Sequence, residues 1–411
     1  MKYVTEFRDG DLARRIADSL AAEVQPDRSY SFMEFCGGHT HAISRYGVTE
    51  LLPPNVRMIH GPGCPVCVLP IGRVDLAIRL AMGNAGPLPS SPSPSGGGTP
   101  QADLGAHIPR GVILCTYGDV MRVPASESLS LMKAKARGAD IRMVYSAADA
   151  LGLARKFPDR EVVFLAIGFE TTTPPTALVI RQAAKENIAN FSVLCCHVLT
   201  PSAITHILES PEVRQYGTVP IDGFIGPAHV SIIIGSDPYV HFAEEYRKPV
   251  VIAGFEPLDV MQAIRMLVRQ VNEGRAEVEN EFTRAVTPEG NLAAQSVVRE
   301  VFELRSSFEW RGLGEVPYSA LKIRPAFAAW DAERKFELTY TPVPDHKQCE
   351  CGAILRGVKR PTDCKLFGTV CTPENPVGSC MVSSEGACAA HYTYGRFRDI
   401  PLVPATEEAT P

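Results

Sequence analysis

The sequence has no apolar run of the ~20 residues that a bilayer-spanning helix needs; its longest apolar stretches are residues 162–169 and 250–255. Its first residues, MKYVTEFRDGDLARR, are polar and contain no apolar signal core. No basic block occurs and the formal net charge is −5, which argues against a nucleic-acid-binding surface. We therefore expect a protein of the reducing cytoplasm, where clustered cysteines more often bind metal or do redox chemistry than form structural disulfides.

Several short motifs that would indicate a common enzyme class are also missing. The sequence contains neither GxGxxG nor GxxxxGK[ST], so a dinucleotide-dependent dehydrogenase or a P-loop ATPase has no local support. It contains no CxxxCxxC triplet and no ferredoxin-type run of closely spaced CxxC pairs. Its one CxxC pair has no second pair to complete a zinc knuckle, which weakens the zinc alternative.

The sequence does have a regular alternation of short β-branched runs with amphipathic helical stretches. We predict buried strands at 30–35, 56–60, 112–117, 141–146, 161–168, 191–198, 223–225 and 249–254. We predict helices at 147–157, 174–186 and 257–273. Such alternation is typical of doubly wound parallel sheets, in which ligands bind at the carboxyl ends of the strands.

The predicted fold is α/β, with two doubly wound parallel-sheet lobes and a smaller C-terminal iron–sulfur domain. A helical segment at 1–27 precedes a first lobe at 28–157, and a break at Phe157-Pro158-Asp159 leads to a second lobe at 158–275. Residues 276–411 are assigned to the C-terminal domain. The Pro/Ser/Gly-rich stretch 87–107 is expected to be a disordered surface insert without a chemical role.

Two thiol motifs follow the first two predicted strands. In Cys36-Gly-Gly-His39-Thr-His, the Cys and His side chains suit iron, copper or zinc; the structural alternative is a glycine turn with a buried cysteine and a capping histidine. We interpret Cys64-Pro-Val-Cys67 as a reversible dithiol, with Cys64 near a helix N-terminus that stabilises its thiolate. Half of a zinc site, or two inert cysteines, are the alternatives. If consecutive strands lie side by side, Cys36 and the pair share one crevice.

Six of the twelve cysteines lie between residues 349 and 388, at a density that points to metal binding, disulfides or unusual reactivity. Four thiolates are enough for a [4Fe–4S] cluster. The predicted ligands are Cys349, Cys364, Cys371 and Cys380, with Cys351 or Cys388 as the substitute. Cys349 and Cys351 are expected to point to opposite sides of an extended segment, so that only one of them is a ligand.

The remaining candidates are less specific. Glu385 and Cys388 lie in the segment SSEGACAA, where Cys388 begins a predicted helix that could lie between the cluster and the crevice, so both are counted as catalytic candidates. Cys115, Cys195 and Cys196 lie in apolar runs and are expected to pack in the core.

Taken together, these motifs resemble those of the HypD family of hydrogenase-maturation proteins. CGGHTH at 36–41, GPGCPVC at 61–67, GFETTTP at 168–174 and GFEPLD at 254–259 match the family pattern, and so does the cysteine-rich stretch at 349–390. The resemblance runs in unbroken order from about residue 28 to residue 395. The stretch 87–107 departs from the pattern but touches none of the motifs.

The resemblance implies a cytoplasmic scaffold on which the Fe(CN)₂CO unit of [NiFe]-hydrogenase is assembled. It implies that Cys36 binds iron together with a cysteine of a small HypC-type chaperone, and that cyanide comes from a thiocyanate carried by HypE. His39 would support the iron site, Cys64 and Cys67 would be the redox dithiol, and the C-terminal cluster would relay electrons. Two other hypotheses stay open, an iron–sulfur-dependent disulfide reductase and a zinc-stabilised binding module. A simple reductase has no need of the Cys36-Gly-Gly-His39 motif.

Overall fold

The computed structural model describes residues 5–83, 111–209 and 221–395, so the stretch 87–107, predicted to be an insert, lies outside the described residues. The strands are β1 Tyr30–Glu34, β2 Val56–His60, β3 Ile113–Thr116, β4 Ile141–Met143, β5 Val162–Gly168, β6 Phe191–His197, β7 Gly223–Pro227, β8 Val250–Ala253, β9 Val278–Asn280, β10 Phe302–Leu304, β11 Ser307–Trp310, β12 Gly314–Pro317 and β13 Leu321–Ile323. The helices are α1 Gly10–Glu23, α2 Gly37–Tyr46, α3 Ile71–Met82, α4 Leu131–Ala136, α5 Ala147–Lys156, α6 Thr173–Lys185, α7 Thr200–Glu209, α8 Ala228–Ile234, α9 Val240–Glu244, α10 Pro257–Asn272, α11 Leu292–Val301, α12 Ala332–Lys335, α13 Cys351–Leu355 and α14 Ala387–Ala390.

Two parallel sheets form the centre of the molecule. The first sheet has the strand order β2-β1-β7-β8-β9 and the second has the order β4-β3-β5-β6, and every pair in both sheets is parallel. Two small antiparallel pairs, β10 with β13 and β11 with β12, follow in the C-terminal part. The α/β fold with two parallel-sheet lobes is confirmed, and each of the eight predicted strands is present.

The strands divide between the sheets differently from the predicted lobes. The first sheet takes β1 and β2 from the beginning of the chain and β7, β8 and β9 from much later, so the second sheet is formed by the segment between them. The predicted boundary at residue 157 therefore falls inside the second sheet, between β4 and β5. The helix α5 ends at this break, with Phe157 as its C-cap residue. Proline commonly follows the end of a helix because it cannot continue it. The break does not mark a change of lobe.

Three apolar clusters cover the faces of the sheets, because successive strand residues point to opposite sides. Tyr30 and Phe32 pack under α1 and α10 on the outer face of the first sheet. Ile113 and Phe164 pack on the outer face of the second sheet against α5, α6 and the β10–β13 pair. The largest cluster lies between the sheets and also contains the cysteine-rich C-terminal segment. That segment is therefore packed into the shared core. Among the described residues, no helix is long and apolar enough to cross a membrane.

We expect Phe164→Ala to lower the free energy of unfolding by about 3–5 kcal/mol, because truncating a buried phenylalanine leaves a cavity in a close-packed core. Phe164 is 0% exposed and its ring lies edge-on to that of Tyr117, with 5.5 Å between the centroids. The control Tyr145→Ala, at a residue that is 87% exposed, should change the free energy by less than about 0.5 kcal/mol. Urea unfolding followed by circular dichroism measures both, and equal losses would contradict this packing.

Candidate iron and thiol site

The carboxyl ends of both sheets open onto one cleft, whose cavity has a volume of about 420 Å³. Segments that follow six strands and one C-terminal loop line it, as expected for ligand sites in parallel sheets. The lining includes Cys36 after β1, Gly63 after β2, Asp119 after β3, Tyr145 after β4, Thr171 after β5, His229 in α8 after β7, and Glu385 from the C-terminal segment. The motifs that the sequence singled out therefore meet at this cleft.

Cys36 lies between the end of β1 and the start of α2, as the N-cap residue of that helix with extended backbone angles. The residue is 8% exposed and lines the cleft cavity, and the backbone N–H groups of Gly38 and His39 donate to its sulfur. Burial, with a smaller contribution from the carboxylates of Glu385 and Glu34, raises the pKa of Cys36 well above its usual value. A partner that binds this sulfur has to displace its proton, and a metal cation can do so.

The loop of the CPVC motif lies directly against the Cys36 loop. β1 pairs with β2, with Glu34 opposite His60, and the Gly37 N–H donates to the Gly63 carbonyl over 2.9 Å. The two strands are adjacent as expected, and Gly63, Pro65 and Val66 line the cleft together with Cys36, whereas Cys64 and Cys67 are not among its lining residues. Gly37 also has to be glycine, since a Cβ there would lie 2.4 Å from the Cβ of Glu385.

Glu34 is a functional candidate that the sequence reasoning missed. It is 0% exposed at the end of β1, and its carboxylate accepts the Cys36 backbone N–H over 2.8 Å. A single charged residue inside the apolar run Tyr-Ser-Phe-Met-Glu-Phe was the available signal, because a buried carboxylate is rare unless it is paired.

His39 lies behind the cleft rather than in its lining. His39 is 0% exposed. Its Nε2 is 3.0 Å from the Ala253 carbonyl and 2.9 Å from the Gly254 carbonyl. Burial lowers the pKa of His39 below its usual value, and Nε2 must carry the proton that these carbonyls accept. His39 therefore fixes α2 against the end of β8. A second histidine, His229, does line the cleft, with its ring centroid 4.1 Å from that of Phe255.

Cys64 and Cys67 lie beneath the cleft surface, 3% and 0% exposed. The Cys67 backbone N–H donates to the Cys64 sulfur over 3.3 Å, a turn geometry that holds the two thiols together. The predicted helix N-terminus at Cys64 is wrong, because residues 65–68 form a turn and α3 begins only at Ile71. Burial and contact with the neighbouring thiols of Cys380 and Cys64 raise the pKa of Cys67.

A continuous line of thiols leads from Cys67 into the C-terminal segment. Cys67 is hydrogen-bonded to Cys380, which is hydrogen-bonded in turn to Cys351. The Ser379 hydroxyl donates to the Cys67 carbonyl, which fixes the two segments together. Hydrogen bonds with Cys351 and Cys67 lower the pKa of Cys380 below its usual value.

Five C-terminal cysteines line one small cavity together with apolar side chains, and they are Cys349, Cys351, Cys364, Cys371 and Cys388. Three of the four predicted cluster ligands meet there, whereas Cys380 is not among the lining residues. The expectation that Cys349 and Cys351 point apart is wrong. Their sulfur atoms are 3.3 Å apart, because the chain is not extended at Glu350 and α13 starts at Cys351.

The other predicted positions take structural roles. Cys115, Cys195 and Cys196 are 0%, 1% and 2% exposed in the core, as expected, and burial raises the pKa of Cys115 to about 12. In the GFETTTP motif, Thr171 and Thr172 line the cleft while Glu170 is buried below them. Glu170 accepts the Thr200 N–H over 2.9 Å and the Thr200 hydroxyl over 3.1 Å, linking the end of β5 to α7.

The fold and the site define a class: a two-sheet α/β protein that holds a lone cysteine in an inter-sheet cleft, backed by a dithiol and a buried group of C-terminal thiols. The family described as HypD, hydrogenase formation hypA family, matches residues 11–87 and 103–395. The chain belongs to the HypD family of hydrogenase maturation factors.

Named relatives cover nearly the whole chain. It is 73% identical to the hydrogenase maturation factor HypD of Cupriavidus necator over 405 residues, which are 98% of this chain and 100% of the relative. It is 64% identical to HypD of Rhizobium leguminosarum bv. viciae, covering 97% of each chain. It is 42% identical to HypD of Escherichia coli, covering 96% of this chain and 98% of the relative.

Glu170→Gln should remove part of the pH dependence of stability. Burial raises the pKa of Glu170 from 4.5 to about 7, so between about pH 5 and pH 7 the folded state holds a proton that the unfolded state releases. Ionisation of this group therefore makes the folded protein less stable as the pH rises through that window. Glutamine stays neutral and can still bond both Thr200 groups.

Thermal unfolding at pH 5, 6, 7 and 8 checks this expectation. The melting temperature of the variant, relative to the natural protein, should rise from pH 5 to pH 8. Two curves that stay parallel over this range would show that Glu170 ionises in the folded protein as it does in the unfolded chain.

Proposed function

We propose that this protein is the scaffold on which the Fe(CN)₂CO unit of [NiFe]-hydrogenase is assembled, with iron as its cargo. The observation that supports it most is the arrangement at the cleft, where Cys36 lines the cavity and the CPVC loop is hydrogen-bonded to its own loop. Cys36 alone, in the lining of the cleft, would occupy one coordination position of an iron ion and leave the others open. Cyanide, carbon monoxide and a cysteine of a HypC-type chaperone would occupy those positions.

Cyanide transfer from a thiocyanate, such as a HypE-type carrier would present, needs two electrons. The carbon–sulfur bond of the carrier breaks, an iron–carbon bond forms, and the carrier sulfur leaves as a thiol. Oxidation of Cys64 and Cys67 to a disulfide supplies the two electrons and two protons. One proton goes to the carrier sulfur and one is released, so the step balances.

The chain's own residues would prepare the cleft for this transfer. Cys36 gives up its proton to hold iron, and the buried His39 fixes the helix that carries Cys36. Glu385 is a proton acceptor beside Cys36, since burial and the carboxylate of Asp119 raise its pKa. Glu385 can therefore hold the proton released by Cys36 until the carrier sulfur or solvent takes it.

The cysteine-lined cavity suits a resident [4Fe–4S] cluster. Its thiols are free, apolar side chains surround them, and the Val377 N–H donates to the Cys371 sulfur over 3.4 Å. At Gly378 a Cβ would lie 2.5 Å from the sulfurs of both Cys349 and Cys351, so the backbone makes room for sulfur there. Among residues 5–83, 111–209 and 221–395, no group of three side chains is placed to hold a single metal ion.

We infer that Cys349, Cys364, Cys371 and Cys388 hold this cluster. Compared with the ligands predicted from the sequence, Cys388 takes the place of Cys380. When bound, such a cluster supplies single electrons. Cys351 and Cys380 would then form a second thiol pair between it and Cys67, since Cys380 contacts both Cys351 and Cys67. Buried neighbouring thiols can exchange disulfides without exposure to solvent.

Burial of the dithiol favours the scaffold over a stand-alone disulfide reductase. A reductase has to bring its dithiol against a disulfide of another protein, whereas Cys67 is 0% exposed. Internal use of the electrons at the cleft agrees better with this position. The proposed partners are the HypC-type chaperone and the HypE-type thiocyanate carrier, with the [NiFe]-hydrogenase large subunit served indirectly, and the proposed compartment is the cytoplasm.

Cys36→Ala should abolish the vibrational bands of iron-bound cyanide and carbon monoxide in the complex purified anaerobically with its HypC-type chaperone. The variant lacks the only soft ligand that the cleft lining offers among the described residues. Cys115→Ala, at a buried cysteine outside the cleft, is the matched control and should keep the bands. Bands that persist in Cys36→Ala would contradict the proposed iron ligand.

Cys388→Ser and Cys380→Ser should differ in iron content. The anaerobically purified protein should be brown and contain about four cluster irons. Cys388→Ser should lose most of this iron because a ligand is gone, whereas Cys380→Ser should keep it. Metal analysis and the visible absorption spectrum measure both variants. Loss of iron from Cys380→Ser with retention in Cys388→Ser would favour the ligands predicted from the sequence, with Cys380 in place of Cys388. A colourless natural protein would favour the zinc-stabilised module.

A further inference from the structure

Glu34 is a carboxylate buried in the centre of the molecule. It is the last residue of β1, two positions before Cys36, and it is 0% exposed in the interior of the first sheet. A buried carboxylate is costly unless hydrogen bonds and opposite charge compensate for lost hydration. Its contacts therefore indicate what the residue does.

Both oxygens of Glu34 are used, and their partners come from three separate elements. Oε2 accepts the Cys36 backbone N–H over 2.8 Å. Oε1 accepts the hydroxyl of Thr40 in the first turn of α2 and contacts His60 Nδ1 at 2.8 Å. His60 is the last residue of β2, from which the chain continues into the CPVC loop.

The backbone of Glu34 makes a further link to the same loop. Its carbonyl accepts the Gly61 N–H over 2.9 Å. Beside it, Gly37 donates to Gly63. One residue thus joins the loop of the cleft cysteine, the first turn of α2 and the start of the dithiol loop.

We propose that Glu34 is a positioning residue, which holds the Cys36 backbone and the start of the CPVC loop in one geometry so that iron ligand and dithiol keep a fixed separation. The relevance to iron rests on the proposed function. The positioning itself does not, since it concerns the orientation and access of Cys36 in the protein without iron.

The two oxygens of Glu34 serve three partners. Glutamine has nearly the same size, and its oxygen can accept the Cys36 N–H while its NH₂ group donates to the Thr40 hydroxyl and to His60 Nδ1. Glu34→Gln therefore keeps the arrangement without the charge, whereas Glu34→Ala breaks both sides of it.

The first test measures the access of Cys36 in the full-length protein by alkylation with N-ethylmaleimide and peptide mass spectrometry. Glu34→Ala should raise the rate at Cys36 by about tenfold, the effect of losing a hydrogen bond to a charged group, whereas Glu34→Gln should keep a rate close to that of the natural protein. The rate at Cys115, in the core of the second sheet, should not change. Asp75→Asn is the matched control, since Asp75 is a buried carboxylate that accepts the N–H and hydroxyl of Ser126.

A merely structural role gives a different pattern. If Glu34 only stabilises the fold, Glu34→Ala will speed alkylation of Cys36 and Cys115 together and lower the melting temperature, and the proposal is overturned. An unchanged rate at Cys36 in both Glu34 variants also overturns it. A selective change at Cys36, absent from Asp75→Asn, supports it.

The second test records the cyanide and carbon monoxide bands of the complex with the HypC-type chaperone. With the natural protein showing bands and Cys36→Ser lacking them, loss or displacement of the bands in Glu34→Ala supports the inference. Unchanged bands of full intensity in Glu34→Ala overturn the inference and leave the proposed function standing. If Cys36→Ser keeps the bands, the proposed function fails, and the alkylation ratio still decides whether Glu34 positions Cys36.

Discussion

The parallel pairing of β1 with β2 is the interaction on which the site depends. It sets Glu34 opposite His60, so the two chain segments leave the sheet side by side and their next residues form one continuous surface. Everything chemically distinctive follows within a few residues of that pair, namely the cleft cysteine on one segment and the dithiol on the other. A shift of the register by one residue would turn Glu34 to the opposite face of the sheet and separate these groups.

The second constraint is burial. The thiols of Cys67, Cys380 and Cys388 lie in the same apolar core that holds the two sheets together. A thiol in such a place is shielded from oxidants and from foreign disulfides, and it can exchange only with the thiols it touches. Packing therefore selects the thiol partners of each sulfur, and these contacts run from Cys351 through Cys380 to Cys67.

The sequence predicted the local elements well, because alternating β-branched runs and amphipathic stretches specify strands and helices directly. The exact limits of β2 illustrate this. It could not predict the division of strands between the sheets, since the return of β7 to pair with β1 depends on contacts across almost two hundred residues of chain. The proline at 158 ended a helix and was misinterpreted as a lobe boundary for the same reason.

Within the site, motif positions were predictable and neighbours were not. Cys36 and the CPVC pair could be placed together once consecutive strands were assumed to be adjacent. The set of thiols around the C-terminal cavity depends on how an irregular segment folds back on itself, and no spacing rule distinguishes Cys380 from Cys388. Glu34 and His60 escaped notice because isolated polar residues at strand ends have no motif.

The interrupted first sheet also has a consequence for biosynthesis. The ribosome releases Cys36, Cys64 and Cys67 early, whereas β7 and β8, which complete the sheet around them, emerge only after the whole second sheet has been made. During that interval the nascent chain carries reactive sulfur without a finished pocket. The pocket can close only after the C-terminal segment has also been made, since Ser383 and Glu385 line it, and until then the thiols of the nascent chain are open to oxidants and stray metal.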